Sequence, residues 1–356
     1  LKIQSYTMKN NSSTNGHSSV FSRLSTSGSI FSLLALVALL GTSTLLALRF
    51  SPTSNPSEAA AVLLASSTTA AAPGPDAYAN ISLTGKAAIV YDLTTGHTLY
   101  SRNSNTPLAL ASITKLLTLY AASDVLSPNS QVLMSSSSLA TMNDAGDSGF
   151  KVGESFTYED LARLTLAASS NAGADSIADA AASAKGSGIT TLLASAASEL
   201  GLSQTHATNA TGLDIDTTTA GAYGSARDIA VLAAGLLKKA PSIARATTLP
   251  AITVTSSQGT RHSFANTDVD VTHFPSLLLS KTGYTDLAGG NLVIVYDAGI
   301  NHPIAIVVLG STVDGRFADM RTLMSATLAH FAGIAPPQSQ DQGVTLLQGH
   351  TLIPSH

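Results

Sequence analysis

No cysteine occurs in the 356 residues. Disulfides, thiolate metal sites and cysteine nucleophiles are excluded together, and the compartment is left open. Charge is scarce as well: Asp, Glu, Lys and Arg make up 11% of the chain, with a net charge of −4. A soluble domain usually carries about a quarter of its residues as charges. No basic stripe points to nucleic acid, and no acidic run marks a disordered tail. The nine histidines contain no His-Glu-x-x-His pair, which removes the simplest zinc hydrolase. No cofactor or metal is expected.

The N-terminal part is not domain-like. Residues 1–29 are polar, with Lys2, Lys9 and Arg23 as their only Asp, Glu, Lys or Arg, and residues 30–48 have none at all. Such a helix spans roughly 30 Å, the thickness of a bilayer core. A secretory h-region is shorter, about 7–15 residues, so residues 30–50 are expected to be a retained membrane anchor; the Gly41-Thr42-Ser43-Thr44 interruption is the argument for a signal peptide instead. More basic residues precede the segment than follow it at once, which sets residues 1–29 in the cytoplasm and the rest outside. Residues 51–81 are rich in Ala, Ser, Thr and Pro and read as a linker. A folded domain is expected over residues 82–333, and a tail over 334–356.

Within that domain the chain is organised around Ser112-Ile113-Thr114-Lys115. The stretch from Leu110 to Tyr120 has the apolar rhythm of a helix, and positions three apart share a face. Lys115 thus lies one turn from Ser112. A serine hydroxyl becomes a nucleophile when a base takes its proton, and a buried lysine, its charged form disfavoured, can be that base. Ser148-Gly149-Phe150-Lys151 has the same spacing, but the glycines around it argue for a loop, which does not hold the pair one turn apart.

Around this helix the expected order is strands, helices, then strands and a closing helix. Residues 86–92 and 98–101 form a hairpin across Thr94-Thr95-Gly96. A capping box at Thr157 opens a helix that ends in residues 167–175, and another at Ser225 opens a helix to about Lys239. Residues 189–200 are helical. Strands follow at 252–256, 291–296 and 304–309, and an amphipathic helix runs from about Arg316 to Phe331. The order implies an α+β fold, an antiparallel sheet flanked by helices with an inserted all-helical subdomain.

Three triplets then line up: Ser112-x-x-Lys115, Ser169-Ser170-Asn171 and Lys281-Thr282-Gly283. With the flanking segments Asn209-Ala210-Thr211-Gly212, Ser225-Ala226-Arg227-Asp228 and Tyr284-Thr285-Asp286, the chain resembles the serine D-alanyl-D-alanine carboxypeptidases of peptidase family S11. These are low-molecular-weight penicillin-binding proteins with the β-lactamase/transpeptidase-like fold.

The resemblance implies an enzyme that removes the terminal D-alanine of peptidoglycan stem peptides through an acyl-enzyme, with β-lactams as inhibitors. Ser112 is the implied nucleophile and Lys115 the base, its pKa lowered further by Lys281. Ser169 passes a proton to the leaving D-alanine, and Asn171 orients Lys115 and the substrate amide. Lys281 and Thr282 hold the terminal carboxylate. Gly283 lets the strand approach the substrate, and the N–H groups of Ser112 and Tyr284 form the oxyanion hole.

Two departures stand out: Ser170 replaces the usual middle glycine, and Tyr284 follows the third triplet where histidine is common. The alternatives are a DD-endopeptidase, a β-lactamase with Glu199 as its deacylating acid, and a penicillin- or peptidoglycan-binding scaffold without turnover. A chymotrypsin-like site at Gly146-Asp147-Ser148-Gly149 lacks triad partners, since His97 is the only histidine between the linker and Ser148.

Overall fold

The computed structural model describes residues 76–140 and 149–333. The expected anchor, most of the linker, the tail and Ser148 lie outside the described residues. Among the described residues no helix is long and apolar enough to cross a membrane.

The expected hairpin forms from β1 (Ala87–Asp92) and β2 (Thr98–Arg102). Gly96 stands in its turn at φ 74°, a conformation glycine enters without a Cβ penalty. The short β3 (Leu108–Ala109) leads through a 3-10 turn, Ala111–Ile113, into α1 (Thr114–Ala122). Then come β4 (Gln131–Leu133), α2 (Ser136–Leu139) and β5 (Ser155–Thr157). The middle of the chain is helical: α3 (Tyr158–Ala167), α4 (Asn171–Lys185), α5 (Ile189–Glu199), α6 (Ala226–Lys239) and α7 (Pro241–Ala246). The short strands β6 (His206–Ala207) and β7 (Ala222–Gly224) lie between α5 and α6. A hairpin of β8 (Ala251–Thr255) and β9 (Arg261–Ala265) precedes the long strands β10 (Leu277–Thr285), β11 (Gly289–Asp297) and β12 (Pro303–Ser311). Helix α8 (Gly315–Ala332) closes the described chain.

The main sheet has the order β10-β11-β12-β1-β2 and is antiparallel throughout. Successive side chains in a strand face opposite sides, and here each side has its own core. Ala88, Val90, Leu292, Ile294, Ile306 and Val308 pack with Phe317, Met320 and Leu323 of α8. Ala87, Ile89, Val293, Val295, Ala305 and Val307 pack on the other face with the helical insertion, including Leu116 of α1 and Ile229 and Leu232 of α6. The expected α+β layering is therefore present, with the helices inserted between β2 and β10.

Three expectations about elements need correction. Packing begins before Ser82: Ala77 is fully buried, Tyr78 donates its hydroxyl to Thr327 Oγ1 at 3.0 Å, and its ring stacks on Tyr100. Residues 252–256 do not join the main sheet but pair with β9. Residues 167–175 are not merely a helix end. The chain turns at Ser169, and Ser170 caps a new helix by accepting the Gly173 N–H at 2.8 Å.

Asp92 joins two turns of the sheet. Its carboxylate accepts the N–H groups of Thr94 and Thr95 at 2.8 and 3.1 Å and meets His302 Nε2, in the β11–β12 turn, at 2.8 Å. Burial alone would raise its pKa, but the His302 ring and the Thr95 and Thr94 groups outweigh burial and lower it from 3.8 to about 2. A carboxyl depressed on folding stabilises the protein above its unfolded value, and that contribution is lost as pH falls from about 4 towards 2. Asp92→Asn should cost about 2 kcal/mol at pH 7. Denaturant unfolding of the variant across pH 5 to 2 should show a shallower loss of stability than the parent.

Candidate active site

Ser112 lies in the 3-10 turn rather than in the α-helix proper, which starts at Thr114. The residue before it, Ala111, has φ 49°, a left-handed conformation that costs a non-glycine residue about 1–3 kcal/mol and persists only where the surroundings enforce it. The neighbouring loop supplies that enforcement. Gly212, at φ 78°, approaches so closely that a Cβ there would stand 1.9 Å from the Ala111 carbonyl oxygen. The turn is further tied by Asn291 Nδ2, which donates to the carbonyls of Ala109 and Leu110 at 3.0 Å each.

Lys115 is fully buried, with Nζ 2.7 Å from Ser112 Oγ. The same nitrogen donates to Asn171 Oδ1 at 2.7 Å and to the Thr211 carbonyl at 3.1 Å. The expected serine–lysine pair is thus assembled, and the first residue of α4 holds it from behind. Asn171 is itself fully buried. Its contact with Lys115 matches the expectation.

Ser169 is the second left-handed residue of the site, at φ 62° in the turn between α3 and α4. Lys281 Nζ donates to its Oγ at 2.9 Å and to the Thr282 carbonyl at 2.8 Å. Lys281 is 1% exposed, and its cation bears on the Ser169 hydroxyl. Gly283 also has a packing role. A Cβ there would stand 2.8 Å from the Leu110 carbonyl and 3.2 Å from the Ile113 nitrogen, so glycine lets β10 press against the Ser112 turn.

The resulting cleft, about 410 Å³, lies beside β10. Ser112, Ser169, Thr282, Gly283 and Tyr284 line one part of it, and Phe264 through Thr267 line the facing hairpin end. Tyr284 is half exposed, its hydroxyl donating to Asp286 at 3.2 Å. Among the described residues no acidic side chain is in the lining. Glu199, the candidate deacylating acid, ends α5, where it accepts the Tyr120 hydroxyl at 2.7 Å and pairs with Lys239.

Arg316 is a cleft residue that the sequence reading missed. It is 8% exposed, lines the cleft, and donates from Nη1 to the Gly283 carbonyl at 2.9 Å, while its buried Nε has no hydrogen-bond partner among the described residues. Burial lowers its pKa, against which Asp268 and Asp314 act. The signal was its place in the first turn of α8, where a cation opposes the helix dipole and so asks for a reason.

The comparisons with known proteins agree with this geometry. The family model described as D-alanyl-D-alanine carboxypeptidase, Peptidase_S11, matches residues 68–313. The D-alanyl-D-alanine carboxypeptidase DacF of Bacillus subtilis is 28% identical over 250 residues, 69% of this chain and 62% of that protein, so the match falls short of two thirds of the relative's length. A D-alanyl-D-alanine endopeptidase of Pseudomonas aeruginosa is 31% identical over 64% of this chain and 71% of its own. Among solved structures, the ampicillin-bound penicillin-binding protein D2 of Listeria monocytogenes superposes with a TM-score of 0.57 at 25% identity, covering 69% of this chain and 98% of that one. By its motifs, its cleft and this match, the chain belongs to the D-alanyl-D-alanine carboxypeptidase family, peptidase S11.

Proposed function

We propose that the protein is a serine D-alanyl-D-alanine carboxypeptidase that cleaves the terminal D-alanine from peptidoglycan stem peptides and is acylated by β-lactams. The observation that carries this reading is the buried Lys115 amine 2.7 Å from Ser112 Oγ at the floor of a cleft. Burial disfavours an ammonium relative to an amine, and a neutral amine there takes the Ser112 proton as Oγ attacks the scissile carbonyl. The oxyanion meets the N–H groups of Ser112 and Tyr284. Arg316 holds the Gly283 carbonyl, and in a trans peptide the Tyr284 N–H points the opposite way, so the same contact sets that donor's direction.

Ser169, polarised by Lys281, hands its proton to the departing D-alanine nitrogen and takes up in return the proton that Lys115 removed from Ser112. Water then releases the acyl group from Ser112. The terminal carboxylate is received by Thr282 and by the guanidinium of Arg316, both of which line the cleft. An endopeptidase reading stands second, supported by the Pseudomonas aeruginosa relative's name. It is separated by digesting cross-linked muropeptides alongside linear pentapeptide.

Brief exposure to benzylpenicillin followed by mass spectrometry should give an adduct on Ser112 that is absent in Ser112→Ala. Persistence of the adduct marks carboxypeptidase-type deacylation, and clearance within seconds marks a β-lactamase. A folded protein with no adduct would leave only a non-catalytic scaffold.

Arg316→Gln should raise KM for a D-Ala-D-Ala peptide about 10- to 100-fold, the worth of a charged hydrogen bond, with a smaller change in kcat. Steady-state kinetics with one peptide checks this.

We further propose that residues 30–50 anchor the domain to a membrane, with the cleft on the extracytoplasmic side. The uncharged run from Ile30 to Leu48 supports this. The full chain should stay with the membrane fraction in high salt and leave it in detergent. Release by salt alone would rule out the anchor.

A further inference from the structure

Thr267 and Thr282 stand on two different elements, the turn after β9 and the strand β10, and their Oγ1 atoms are 2.6 Å apart. Both line the cleft; Thr282 is buried and Thr267 half-buried. At that separation one hydroxyl donates and the other accepts. If Thr282 donates to Thr267, it turns only lone pairs to the cleft, and these repel a carboxylate. If Thr267 donates, the proton of Thr282 is released to point into the cleft.

We infer that Thr267 is a positioning residue that fixes the Thr282 hydroxyl as a donor to the terminal carboxylate of the substrate, an inference resting on the carboxypeptidase reading above. The backbone around Thr267 is held for such a task. Its N–H donates to the Ala167 carbonyl at 3.0 Å, at the end of the helix that leads to Ser169. Asn266 before it donates from Nδ2 to the Thr247 and Leu249 carbonyls, both at 2.8 Å, and accepts the Asp268 N–H at 2.9 Å. Asp268 after it accepts the Ser280 hydroxyl on β10. On the other side, the Thr282 carbonyl accepts Lys281 Nζ. Neither threonine backbone can drift from its partner without breaking these bonds. What the hydroxyl pair leaves undecided is only the direction of its proton, and an anion in the cleft decides it. The pair thereby favours a ligand with a negatively charged terminus over the same ligand with a neutral one.

The test compares the acylation rate of Ser112 by benzylpenicillin, whose carboxylate stands for the substrate terminus, with that by its methyl ester. The ring keeps both reactive. In the full chain, Thr267→Val should lower the acid-to-ester rate ratio about five- to tenfold, the scale of one neutral hydrogen bond. The ester rate should change less than about twofold on the same scale. Thr267→Ser should restore the ratio. If Thr267→Val folds poorly by its thermal midpoint, Thr267→Ala serves in its place. Equal losses for acid and ester, no change in either, or no rescue by serine would overturn the inference and leave a structural tie between the hairpin and β10. In the two latter cases the parent still acylates and the functional reading stands. If the parent itself is not acylated at Ser112, that reading fails and this inference with it.

Discussion

One buried nitrogen joins the parts of the site. Lys115 Nζ reaches the nucleophile Ser112, the first residue of α4 through Asn171, and the loop before Gly212 through the Thr211 carbonyl. Asn171 and Thr211 belong to segments distant in sequence, so the amine is fully satisfied only when helices and loop are docked together. A lysine buried in this way is costly to leave unmatched. That makes correct assembly of the helical layer and assembly of the catalytic pair a single event.

The sheet contributes through contact as well as through the side chains of β10. β10 comes against the Ser112 turn only because Gly283 carries no side chain, and Asn291 on the adjoining strand hydrogen-bonds the carbonyls of Ala109 and Leu110. The two left-handed residues of the site are Ala111, next to the cleft residue Ser112, and Ser169, in the cleft lining. Their strain is supported by packing that has no other evident purpose: the Gly212 approach on one side and the capped start of α4 on the other.

Much of this was legible in the sequence, for reasons that differ by element. The β1–β2 hairpin and the Thr157 and Ser225 caps announce themselves by local turn and capping chemistry. The pair Ser112 and Lys115 follows from helical spacing. Helix α4 was hidden because its alanine-rich face has little periodicity and because Ser170, its cap, lies inside a triplet with another meaning. The β8–β9 hairpin could not be separated from the main sheet by strand pattern alone, since pairing is decided by the whole fold. Arg316 reads as an ordinary surface cation until its burial and its contact with Gly283 are seen. Lys281 and Asn171 stand out by their triplets, but which partners their side chains meet is a three-dimensional fact.

The place of β10 at the end of the strand order has a further consequence. An uncovered sheet edge is an invitation to aggregation, because another protein's strand can pair with it. Here the edge is recessed between the Ser112 and Ser169 turns and the end of the β9 hairpin. A strand that pairs with this edge has to enter the cleft, as a flexible peptide with a free end can. The walls that shape the cleft for its ligand therefore also act as a gatekeeper against self-association at high local crowding.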